Sequence, residues 1–332
     1  MRLSEAIAAG WTRRGANAML LPVAWLFAFV VAVRRGIYRI GWLESVRLPV
    51  PLVVVGNITA GGSGKTPLVL YLAHELARLG RRPGIISRGY AGTASAVQPV
   101  EANSDPREVG DEPLLMARRA ICPVFVGRDR VAAARALLMA HPQCDVLLAD
   151  DGLQHLRLAR DIEIIVLDER GCGNGWPLPA GPLREPPRRI AAASALVLNG
   201  AAATAPAGVA APAVFRMRLE GARLYGVRDP ARSCGPEQLS GMRLHAVAGI
   251  GDPGRFFRHL EDLGLRFERH AFPDHHVFRA ADIAFAGAEA LLMTEKDAVK
   301  CTAFAPDHAW VLPVEARLAP DLAQWVATQL ER

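Results

Sequence analysis

Paired cysteines, lysine and any chain-wide surplus of charge are what this 332-residue sequence has little of. Its cysteines (Cys122, Cys144, Cys172, Cys234, Cys301) are odd in number and include no CxxC pair, which excludes a disulfide framework and a zinc knuckle and points to a reducing compartment. Lysine occurs three times, as Lys65, Lys296 and Lys300, against thirty-six arginines. The formal charge of +6 is local: residues 1–48 hold seven arginines against Glu5 and Glu44, leaving the other 284 residues close to neutral. A body so balanced, with no basic stripe interleaved with aromatics, does not suit nucleic acid. What is present, 51% hydrophobic and 22% charged residues, excludes a disordered chain or a fibre and supplies one large or two ordinary cores.

The basic surplus brackets an apolar run, Ala18 to Val33, lying between Arg14 and Arg34. Sixteen helical residues rise about 24 Å, short of the roughly 30 Å hydrocarbon core, so a buried core helix, a signal peptide and a membrane anchor compete. Arginine pairs on both sides and Trp11, Trp25 and Trp42 in or near the segment favour the membrane interface, and AVRRGIYR offers no signal cleavage site. With a nucleotide site only a few residues further on, the bulk of the protein is expected on the cytoplasmic side.

Residues 50–56, VPLVVVG, read as a buried parallel strand, and LVLYLAHELARLG carries leucines at helical spacing up to Gly80. Between them lies NITAGGSGKTP, the strand–loop–helix context of a phosphate loop. Thr59, Ala60, Gly61, Gly62, Ser63, Gly64, Lys65 and Thr66 are the expected nucleotide-binding residues: glycines let backbone N–H groups close on phosphate, Lys65 reaches the β- and γ-phosphates, and the Thr66 hydroxyl suits Mg²⁺. The usual motif would place its first glycine at Thr59. The membrane-associated ATPase group, with a signature lysine before the paired glycines, is disfavoured by Ala60.

CDVLLADDGLQH places Asp150 and Asp151 at the end of another buried strand, where a P-loop fold needs a carboxylate for Mg²⁺. In EVGDEPLLMARRA, Asp111 and Glu112 complement a helix N-terminus, with Asp111 the better candidate to face a substrate. Arg128 and Arg130, and Arg184, Glu185, Arg188 and Arg189, form either solvated faces or anion clamps. RHAFPDHHVF packs His270, Asp274, His275 and His276 together. A DHH phosphoesterase would leave the P-loop unexplained, whereas one histidine orienting an aspartate fits proton removal during phosphoryl transfer.

The Ala/Pro/Gly stretch 199–215 reads as a domain boundary or an insertion, and FRMRLEGARLYGV after it as a connecting hairpin. Strand–loop–helix patterns at LHAVAGIGDPGRFFRHLEDLG and ALLMTEKDAVKC imply a second α/β unit. The expected organisation is therefore α/β: a membrane-associated helical segment over 1–47, a P-loop domain with a mostly parallel sheet over 48–212, and a smaller α/β domain over 213–332. GIGDPG is not a dinucleotide fingerprint and TEKD is not a guanine-reading motif.

Taken in order, GNITAGGSGKTP, SRGY, GDEP, DDGLQH, GPLRE, GIGDPGRFF, FPDHH and TEKD resemble the tetraacyldisaccharide 4'-kinase family, the inner-membrane lipid A 4'-kinases of Gram-negative bacteria, over nearly the whole chain. The departure at Thr59 is characteristic of that family. The resemblance implies transfer of the ATP γ-phosphoryl group to the 4'-hydroxyl of a tetraacylated glucosamine disaccharide 1-phosphate, giving lipid IV-A, with no nucleic acid and no obligate protein partner. It implies Lys65 and Thr66 on phosphate and Mg²⁺, Asp150, Asp151 and Glu185 completing the metal shell or its waters, Asp111 with His275 as base, and Tyr90 and His155 near nucleotide or substrate. A membrane-tethered nucleotide switch is the alternative from another class.

Overall fold

A computed structural model describes residues 7, 10–12, 15, 17–89, 92–93, 96–210 and 212–331. Tyr90, Arg13 and Arg14 lie outside them. The larger lobe is built on β1 (Leu52–Gly56), β2 (Pro83–Ser87), β3 (Gln98–Val100), β4 (Val124–Val126), β5 (Val146–Asp150), β6 (Ile162–Asp168), β7 (Ala195–Asn199) and β8 (Ala213–Glu220). Next in the chain are β9 (Leu224–Gly226), β10 (Ser233–Cys234), β11 (Leu244–Ala248), β12 (Phe267–Ala271), β13 (Ala290–Thr294), β14 (Ala309–Leu312) and β15 (Glu315–Ala319). The large sheet runs β15-β8-β7-β6-β1-β5-β2-β4-β3, parallel throughout except at its two edges, β15 and β3. The smaller sheet runs β10-β9-β14-β13-β11-β12.

The central strands are apolar on both faces because helices cover both faces. On one side α2 (Lys65–Arg78) buries Leu68, Leu72 and Leu76. Opposite, Leu52, Val54, Leu147 and Ala149 meet Val131, Ala134 and Leu137 of a helix at Arg130–Ala140. That helix is capped by Asp129, whose side chain accepts the Val131 N–H at 2.9 Å.

Two expectations change. The 200–212 stretch is a crossover inside the large lobe, because β8 pairs in parallel with β7, a geometry no tight turn can close. β8 and β9 form no hairpin: Phe215 and Met217 of β8 are buried in the large core, while β9 joins β14 of the smaller sheet. The chain returns late, since β15 pairs antiparallel with β8 and a helix at Leu322–Leu330 buries Leu322 and Val326 in the core that holds Leu68 and Leu72. The smaller lobe thus occupies roughly residues 221–314 instead of 213–332. The two crossings touch at Gly221, where a Cβ would stand 2.0 Å from the Pro313 carbonyl oxygen, so only glycine fits.

Before the first strand, α1 (Leu21–Arg39) continues a short turn from Ala18. Together they form a 22-residue helical segment, long and apolar enough to cross a membrane, whose most apolar 18-residue window has a mean hydropathy of 1.8 and is only 6% buried. Trp25, Leu26 and Phe29 are each more than 60% exposed, which removes the buried-core-helix reading.

Candidate active site

The loop after β1 is shaped by donors that hold its carbonyls. Buried Asn57 reaches the Gly61 carbonyl at 3.3 Å and the Ser63 hydroxyl at 3.2 Å; Arg170 donates to the Gly62 carbonyl at 2.8 Å and Asn199 to the Ser63 carbonyl at 2.8 Å. No acceptor among the described residues takes the amide N–H groups of Gly61 to Gly64, which makes this turn an anion cradle at the head of α2. Gly64 has φ of +92° and a Cβ there would meet Asn199 Nδ2 at 2.3 Å. Thr59 forms an isolated bridge with Leu183, and the Ala60 N–H bonds to the Pro182 carbonyl at 2.8 Å. That extended backbone suits a β-branched residue, which explains the missing glycine.

β5 lies beside β1, with Val55 in register with Asp150, so the acidic pair ends next to the loop. Asp150 is buried and its Oδ1 has no hydrogen-bond partner. Burial, with Glu112 and Asp151 adding to it against Lys65 and Arg130, pushes its carboxyl up to about 7. Asp151 adopts φ of +46°, uncommon for a non-glycine residue. Burial alone would raise it, but Lys65 at 3.7 Å and Arg184 at 3.0 Å outweigh burial and bring it down to about 2. A buried carboxylate oxygen without a donor, next to an ionised partner, fits a hard divalent cation with oxygen ligands.

Glu185, expected at the metal shell or its waters, has Oε2 at 2.7 Å from Arg35 and 3.4 Å from Arg189, while Oε1 accepts from Gln154 at 3.0 Å. Both oxygens are engaged, so Glu185 fastens α1 to the body. Of the arginines, Arg128 and Arg188 are exposed, whereas Arg130 is buried with its charge next to Asp150 and Asp151. The His155 imidazole is kept neutral, lowered to about 4 by burial and by Arg130.

The second half of the site spans the lobes. Asp111 opens α3 (Asp111–Arg119) on the large lobe, and His275, at φ of +58°, comes from the turn after β12. His275 Nδ1 and Asp111 Oδ2 are 3.0 Å apart. Burial would lower His275, but the Asp111 hydrogen bond raises it; burial would raise Asp111, but His275, Lys296 and Lys300 lower it. His276 turns elsewhere, to Asp282 at 3.2 Å. Two lysines that the sequence did not assign complete the cluster. Lys296 Nζ lies 3.0 Å from Glu112, 3.2 Å from Asp274 and 3.4 Å from His275 Nε2, and Lys300 lies 2.6 Å from Asp297 and 3.9 Å from Asp111. Their signal was the rarity of lysine itself.

The family model for tetraacyldisaccharide-1-P 4'-kinase matches residues 16–331. The chain belongs to the tetraacyldisaccharide 4'-kinase family. It is 52% identical to the tetraacyldisaccharide 4'-kinase of Azoarcus sp. (strain BH72), covering 97% of this chain and 94% of that protein. It is also 52% identical to the one from Dechloromonas aromatica (strain RCB), covering 96% and 94%. The crystal structure of the apo form of LpxK from Aquifex aeolicus in complex with ATP superposes with a TM-score of 0.81 at 31% identity, over 95% of this chain and 99% of that one.

Proposed function

We propose that this chain transfers the γ-phosphoryl group of ATP to the 4'-hydroxyl of a tetraacylated disaccharide 1-phosphate, forming lipid IV-A at the cytoplasmic face of the bacterial inner membrane. The observation that carries this reading is the cleft itself: the phosphate cradle and Asp150 meet the Asp111–His275 pair through Glu112, whose charge acts on Asp150 and whose carboxylate holds Lys296.

Amides of Gly61 to Gly64 and the Lys65 ammonium orient the phosphate chain. Thr66, Asp150 and Asp151, with Glu185 completing the shell or holding its waters, would hold Mg²⁺, which when bound neutralises charge on the phosphate oxygens. Asp111 fixes the imidazole through Nδ1, and the pair takes the proton of the attacking hydroxyl as the phosphoryl group moves across. Because the two groups share a proton, they titrate as a unit. Lys296 and Lys300 keep Asp111 ionised between turnovers. Most of the rate enhancement then comes from positioning and charge neutralisation, with the base adding about 10²–10⁴-fold.

A lipid acceptor explains the exposed apolar helix. Between α1 and the 183–192 segment runs a groove of about 830 Å³, with Phe27 and Val31 on one side and Arg35, Arg39, Arg160 and Arg188 around it. Apolar walls with arginines at the rim suit acyl chains beneath an anionic headgroup.

Detergent-solubilised protein given labelled ATP, Mg²⁺ and tetraacyldisaccharide 1-phosphate is expected to yield a 4'-phosphorylated lipid. Absence of transfer, or ATP hydrolysis indifferent to the lipid, overturns the reading.

A further inference from the structure

The smaller lobe carries a second cluster of ligating side chains that phosphoryl transfer leaves unused. His245 stands on β11, and Glu268 and His270 stand on β12, with the parallel register setting His245 opposite Glu268 and Val247 opposite His270. Residues two apart on a strand share a face, so all three project from the side on which Val247 packs with Phe278 and Ile283. His245 Nδ1 lies 3.0 Å from His270 Nε2 and 3.5 Å from Glu268 Oε2, and His270 Nε2 is 4.0 Å from that same oxygen. Phe285 stacks on both imidazoles, with centroids at 4.7 and 4.0 Å, which sets the ring planes and shields one flank. The two histidine side chains are 12% and 25% exposed, while that of Glu268 is 73% exposed.

Donor atoms in a triangle of this size match a known coordination chemistry. Ligands about 2.0–2.1 Å from a tetrahedral ion stand about 3.3–3.4 Å from each other, a spacing that the three observed separations bracket. We propose that His245, Glu268 and His270 bind one divalent transition ion of the Zn²⁺, Co²⁺ or Ni²⁺ class, with water in the remaining position. Imidazole donors suit those ions and not Mg²⁺, so this site is chemically separate from the one at Asp150. The ion would tie β12, an edge strand, to β11, and β12 leads directly into the turn that carries His275. Its role is to fasten the strand from which the base hangs.

The test uses tag-free, full-length protein in detergent, stripped with a chelator and titrated with Co²⁺, then with Zn²⁺. Wild type is expected to take up one equivalent with the visible absorption of tetrahedral Co²⁺, to lose that absorption when Zn²⁺ displaces it, and to melt at a higher temperature with the ion bound. Glu268→Gln should weaken Co²⁺ binding by about tenfold or more, and His245→Gln with His270→Gln should abolish that equivalent. The proposal is overturned if wild type shows no saturable Co²⁺ absorption, or if the variants match wild type and the histidines merely share a proton. Should the double variant fail to fold, Glu268→Gln decides, since its exposed side chain supports no core packing.

Discussion

Asp150 keeps a proton to about pH 7 and offers an oxygen that no donor in the described protein reaches, while Asp151 next to it is ionised down to about pH 2. A carboxyl raised in this way favours the folded state while protonated, so its contribution falls as pH rises from its unfolded value near 3.8 through about 7. A cation bound at the proposed metal site would replace that proton. Differential scanning fluorimetry should therefore show Mg²⁺ raising the melting temperature more at pH 8 than at pH 5, and Asp150→Asn should remove that difference. For the base, Asp111→Ala is expected to lower kcat by about 10²–10⁴-fold with little change in ATP affinity, measured by steady-state kinetics and nucleotide titration. His275 is raised by Asp111, so the acidic limb of the pH–rate profile should lie above the ordinary histidine value of about 6.5 and shift downward in Asp111→Asn.

Among the elements, the loop between β1 and α2 shows how far local sequence carries. Glycines before Lys-Thr read as a phosphate loop, but the side chains that shape the loop, Arg170 and Asn199, come from other strand ends and have no motif of their own. Gly64→Ala combines a left-handed φ with a collision against Asn199, and a drop in ATP affinity of about tenfold or more, read by calorimetry, is expected. β8 was legible as a half-buried strand from its alternation, yet alternation does not say which sheet a strand joins, and β8 and β9 went to different ones. Glu185 came to the metal shell only through the family resemblance, and its local sequence does not show that Arg35 of α1 reaches it as well. Glu185→Gln should loosen α1, seen as faster amide hydrogen exchange over 21–39.

At the scale of the molecule, function depends on two lobes meeting. The Arg119 guanidinium of α3 holds Glu295 at 2.9 Å, at the start of the helix that carries Lys296 and Lys300, so the surface that joins the lobes also assembles the proposed base. The pairing of Asp111 with His275 was implied by the family resemblance and by no local pattern, and that of Glu112 with Lys296 was not anticipated at all; both join positions more than 160 residues apart through packing. The three lysines have one more consequence. Their side chains are only 11–15% exposed. A protease that cuts after lysine has therefore no site on the outer surface of the folded enzyme. The native protein should resist it until the lobes part, which makes the rate of lysine-specific digestion a direct clock for cleft opening, one that a bound nucleotide would slow.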